Sequence, residues 1–120
     1  MSWGELIDKL TILRIKAARF EGEALAQVRR ECDLLEKIAA PALTGEAAEL
    51  TVLLATINEK LWEVEDRIRA KEAAGCFDAE FIALARAVYH SNDERGAIKR
   101  RISRALGSAL EEQKQYTSYK

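Results

Sequence analysis

Ser2–Ala24 reads SWGELIDKLTILRIKAARFEGEA. Its apolar residues recur at Trp3, Leu6, Leu10, Leu13, Ala17, Phe20 and Ala24. That alternation of three and four residues is the seam of a left-handed helical bundle. Ser2 and Glu5 have the spacing of a capping box, in which each side chain covers the other's backbone N–H. The seam continues more weakly through Val28, Cys32, Leu35 and Ile38, and stops before Pro41, the single proline. Gly22 costs an interior helix about 1 kcal/mol relative to alanine, which weakens a helix without ending it. The pattern therefore predicts one long first helix over about residues 2–39.

Working outward, the stretch Ala40–Gly45 is a turn, and Thr44 is placed to cap a second helix. Leu50, Leu54, Ile57, Leu61, Val64 and Ile68 form its seam, and Gly75 is placed to terminate it. The second helix is expected over about residues 45–75. Asp78 is a cap for the third, and Phe77 can pack on Ile82 as a hydrophobic staple. The third seam runs through Phe81, Leu84, Val88, Asn92, Arg95, Ile102 and Leu106. Ser91 and Glu94 could cap a fresh start near His90, but one helix over about residues 78–107 is the favoured reading. A short helical tail, 108–120, follows. Two short connections make sequential helices antiparallel. The expected fold is a single all-α domain, an up-down-up three-helix bundle with long helices and a helical C-terminal tail.

Composition agrees. Ala, Leu, Glu, Lys and Arg supply 68 of 120 residues, a share that goes with helical bundles. Four valines and one proline leave too few β-branched and turn residues for a sandwich, barrel or Rossmann-type sheet. No apolar run reaches the roughly 18 residues of a membrane span. Nineteen basic against 20 acidic residues give no bulk signal for nucleic acid. The N-terminal stretch lacks the pattern of a cleavable signal. Cys32 and Cys76 have no CxxC or metal-ligand spacing, and His90 is the only histidine. A cytoplasmic setting with no metal and no cofactor is the expectation.

Two features point beyond a plain rod. Ile7, Ile12 and Ile15 lie off the first seam, so that helix is apolar on too many sides for two neighbours to cover. Trp62 lies off the second seam. A second interface at Trp3, Ile7, Ile12, Ile15 and Trp62 is expected, made by another copy of the chain in a homodimer or by the C-terminal tail with Tyr116 and Tyr119 as lids; a wide core in a squat bundle is the alternative. Second, three-helix register brings Glu65, Asp66 and Arg69 level with Arg86, Tyr89 and Asn92, in one half of the rod. Asn58 and Arg95 come next. Asn92 and Arg95 sit in the seam itself, where arginine needs a carboxylate. Glu65 is the expected partner of Arg95, and Asp66 of Arg86. Such a cluster is either an internal network fixing helix pairing or a site where Arg86, Arg95 and Lys99 meet an anionic ligand, a sugar phosphate or carboxylate, between helices two and three. Lys99, Arg100, Arg101 and Arg104 are the one basic run, read first as attraction to the more acidic second helix; without interleaved aromatics it is a poor nucleic-acid signature.

The blocks WGELIDKLTIL (Trp3–Leu13), LWEVEDRIR (Leu61–Arg69) and FDAEFIALARAVYHSNDERGAIK (Phe77–Lys99) resemble a bacterial family catalogued only as a domain of unknown function. The tail EEQKQYTSY (Glu111–Tyr119) is also similar. The resemblance skips Gly22–Ala55. It implies a link to bacterial surface-polysaccharide biosynthesis, and with it a glycan-biosynthesis protein as partner, but no activity. ELIDKLTILRIKAARF (Glu5–Phe20) is similar to the first helix of helical chorismate mutases. Here Arg14, Arg19, Arg29 and Lys37 depart from that family's spacing, so this remains a remote enzyme alternative. The leading expectation is a non-enzymatic helical interaction module that pairs with itself.

Overall fold

A computed structural model describes residues 1–118, with side chains as far as Gly107. It is all-helical: α1 (Trp3–Arg19), α2 (Gly22–Ala39), a short 3-10 turn at Ala40–Ala42, α3 (Gly45–Ala74) and α4 (Ala79–Ser118). No described helix is long and apolar enough to cross a membrane.

The single helix expected over residues 2–39 is two helices. Phe20 and Glu21 are extended, and Gly22 has φ of +62°. Gly22 is thus a conformational switch rather than a tolerated weak point, since a left-handed backbone is open to glycine at little cost. Phe20 at the break packs against the core. The chain folds back, and Lys9–Glu31 (2.6 Å) and Arg14–Glu36 (3.0 Å) tie α2 along α1.

Inserting that turn reverses the register of everything after it. The α3–α4 hairpin is antiparallel, with Arg67 on Glu80 and Lys71 on Asp78 (3.0 Å) beside its turn. Glu5 meets Lys99 and Asp8 meets Arg95, so α1 runs antiparallel to α4 and therefore parallel to α3. Four helices run up, down, up and down, in place of the expected three. The separate tail is also replaced: α4 continues through Gly107 to Ser118. Tyr119 lies outside the described residues, and Tyr116 outside the described side chains.

Helix α1 packs against each of the other three. Ile7, Leu10, Leu13 and Ile15 are all buried, and Ile12 is half-buried. The apolar excess on this helix is covered within one chain, because α2 adds the face that a three-helix arrangement lacks. Leu50 and Leu54 of α3, Ile98 and Ile102 of α4, and Val28, Cys32 and Ala39 of α2 complete the core.

Local chemistry sets the ends. Ser2 Oγ accepts the Glu5 N–H (3.1 Å), but the Glu5 carboxylate goes to Lys99, so the capping box is half used. Thr44 makes no side-chain cap. Gly75, at φ +65°, closes α3, its N–H reaching the carbonyls of Lys71 and Glu72. Asp78 Oδ1 accepts the Phe81 N–H (3.0 Å) and caps α4. Phe77 packs edge-on against Phe81, 5.2 Å between centroids, and both Phe77 and Ile82 are largely exposed. Ser91 is buried inside a continuous helix and begins no new one.

Candidate functional site

Along α1, Gly4, Asp8, Thr11 and Ile15 fall at four, three and four residues and are all buried. This second stripe faces α3 and α4. At its head α1 comes so close to α4 that a Cβ on Gly4 would stand 2.3 Å from the Lys99 carbonyl oxygen. The Gly4 N–H donates to Ser103 Oγ (2.9 Å). One turn on, Asp8 is only 4% exposed.

Asp8 is the hub of the molecule. Arg95 of α4 grips it with both arms of its fork, Nε to Oδ1 at 2.9 Å and Nη2 to Oδ2 at 2.6 Å. Asn58 of α3 donates from Nδ2 to Asp8 Oδ1 (2.9 Å) and to Thr11 Oγ1 (2.8 Å). Thr11 in turn donates to the Asp8 carbonyl (2.7 Å). Lys99 adds a second cation, 3.8 Å from Oδ2 and 2.8 Å from Glu5. Burial pushes the Asp8 carboxyl up, but the hydrogen bonds from Arg95 and Asn58 and the charges of Arg95 and Lys99 outweigh it. The carboxyl lies below its ordinary value. The bond to Asp8 holds the Arg95 guanidinium above its own, against the opposing effect of burial. A carboxylate held below its usual range, with its oxygens engaged, is a poor general base near neutral pH. The arrangement suits joining three helices, not moving protons.

The residues singled out from sequence divide in two. Asn58, Arg95 and Lys99 are brought together, on Asp8 rather than on Glu65. Glu65, Asp66 and Arg69 lie exposed on the second half of α3, where Arg69 approaches Glu65 (4.0 Å) and Asp66 (3.7 Å). Arg86, Tyr89 and Asn92 lie exposed on α4. The buried seam there passes through Ser91 instead of Asn92. Of the apolar residues expected at an interface, Ile7 and Ile15 are inside the chain, and Trp3, Ile12 and Trp62 are half-buried. Arg19 lies over the Trp62 ring, 5.4 Å from its centroid, and pairs with Glu59. Arg14 pairs separately with Glu36, so these two arginines serve different surface contacts. Among the described residues no group of three or more His, Cys, Asp or Glu side chains is gathered in metal-binding geometry.

Asp8 was missed as a hub. Its signal was present: the stripe Gly4–Asp8–Thr11–Ile15 alternates four and three residues as regularly as the leucine seam. Being small and polar, it does not register in a search for apolar spacing.

Residues 1–119 match the family described as Family of unknown function (DUF6165). The match includes Gly22–Ala55, which the motif blocks leave out. No curated protein and no solved structure matches the chain.

Proposed function

The chain belongs to that family of unknown function, and from this premise we propose that it is a helical interaction module that pairs with a second copy of itself along α4. The observation carrying the proposal is a stripe of exposed residues, Ile82, Arg86, Tyr89, Asp93 and Ala97, at helical spacing. Ile82 is 58% and Tyr89 72% exposed. A two-fold interface presents the same patch twice, so residue i meets j and j meets i. With the axis between Tyr89 and His90, antiparallel α4 helices set Arg86 opposite Asp93 of the second copy, twice over. Ile82 falls opposite Ala97, and Tyr89 opposite His90. Within one chain Arg86 and Asp93 are about 10 Å apart along the axis, too far to pair directly. Among the described residues neither has an ion-pair partner. The adjoining groove supports the same occupant. Lys60, Arg86 and His90 rim a floor of Ala79, Ala83 and Ala87, with no carboxylate among the lining residues. Asp93 of the second copy brings the missing charge.

The homodimer expected from sequence is thus retained on another face, since Ile7 and Ile15 are occupied by the chain's own core. The surface-polysaccharide partner implied by the resemblance is a separate proposal; a dimer would offer it two copies of each remaining face. Sedimentation equilibrium from low to high micromolar concentration tests the pairing. Arg86→Asp and Asp93→Arg should each weaken the dimer, and the double exchange should restore it. A chain that stays monomeric throughout, or a dimer indifferent to Arg86→Asp, refutes the reading.

A further inference from the structure

We propose that the groove between the first turn of α1 and the middle of α4 binds a phosphate monoester. The groove is open to solvent and has a volume of about 480 Å³. It lies beside the close approach of α1 to α4 at Gly4, and Gly96, which has no side chain of its own, is part of its wall. Lys99, Arg100 and Arg104 line it against a single carboxylate, Glu5, which Lys99 already neutralises at 2.8 Å. Arg100 and Arg104 stand one turn apart on the exposed side. The Arg100 guanidinium folds back toward Gly96, at 3.4 Å from where its Cβ would be.

Two hydroxyls complete the donor set. Ser103 Oγ accepts the Gly4 N–H and Ser2 Oγ accepts the Glu5 N–H. A serine hydroxyl that accepts still has its own proton to donate. Two planar guanidinium forks and two hydroxyls, beside an ammonium already paired with Glu5 and Asp8, suit the three oxygens and double charge of a phosphate monoester better than a single carboxylate. The groove along α3 is a useful contrast. It sets Arg14 and Lys60 against Glu59 and Glu63, and has no such charge preference.

Phosphate monoesters occur on free sugars and on lipid headgroups, and both arms enter the test. Isothermal titration calorimetry with inorganic phosphate and with glucose 1-phosphate probes the soluble source. Co-sedimentation with phosphatidic acid vesicles probes the lipid. The Arg100→Ala/Arg104→Ala double variant should weaken whichever binding occurs by about tenfold or more, from the loss of charge-assisted hydrogen bonds. Both side chains are exposed, so circular dichroism should report an unchanged fold. Arg101→Ala removes a charge from the same basic run but outside the groove, and should leave binding nearly unchanged. Loss in the double variant alone supports the site, and the probe that binds identifies its source. Equal weakening by Arg101→Ala, or no binding of any of the three probes, overturns it.

Discussion

Three helices, α1, α3 and α4, meet on the Asp8 carboxylate. Removing one partner of a buried ion pair costs about 3–5 kcal/mol, since the other charge is left uncompensated. Arg95 is partly open to solvent, so Asp8→Ala should lose about 3 kcal/mol, at the low end of that range, as measured by urea unfolding. The same group sets a pH dependence. Its folded pKa is lowered, so its stabilisation is complete above the ordinary carboxylate value and is lost as pH falls through the lowered one. Asp78, held down to about 2 by the Phe81 N–H and Lys71, acts with the same sign. Urea midpoints should fall as pH drops below about 4, and Asp8→Asn should flatten that fall. An unchanged slope in Asp8→Asn would separate the acid response from this carboxylate. Sequence reading recognised that Arg95 needs a carboxylate but chose the wrong one, because the choice depended on helix direction. Asn92 was a nearer miss. Leu84, Val88, Ser91, Arg95, Ile98 and Ile102 keep an unbroken four-three alternation, and the small polar Ser91 conceals it.

At the scale of the element, two glycines test two different accounts of α1. In a continuous helix, Gly22→Ala would gain about 1 kcal/mol from helix propensity. At φ +62° the same change should instead lose about 1 kcal/mol or more, because a Cβ is strained in the left-handed region. The sign of the change in thermal midpoint therefore separates the two. Nothing lies within 4 Å of a Cβ at Gly22, so its penalty is conformational. Gly4→Ala is the opposite case: a Cβ would strike the backbone of Lys99. Relief requires α1 to move off α4, and overpacking of this kind costs about 1–3 kcal/mol. Helix identity and the α3–α4 turn, with Gly75 and Asp78, were legible, because spacing and caps are local. The Phe20–Gly22 turn was not, because apolar residues keep recurring at steps of three and four beyond it, though more weakly.

For the whole molecule, the decisive fact is that α1 touches all three other helices while α2 packs chiefly on α1. Opening should follow that order. Amide exchange across Ile7–Leu13 should proceed only with global unfolding, and amides on the outer face of α2 should exchange through smaller openings. Hydrogen-exchange mass spectrometry checks this; equal protection of α1 and α2 would contradict it. The amino-acid sequence by itself determined that the chain is helical, where α3 and α4 join, and that the first helix is too apolar for two neighbours. Those follow from periodicity, capping and composition, which act over a few residues. Only the tertiary structure decided how that excess is covered and which carboxylate holds Arg95. Both depend on the direction of α1, and one glycine's backbone angle reverses the chain after it. No spacing rule registers that reversal, since apolar residues still recur at steps of three and four beyond the turn.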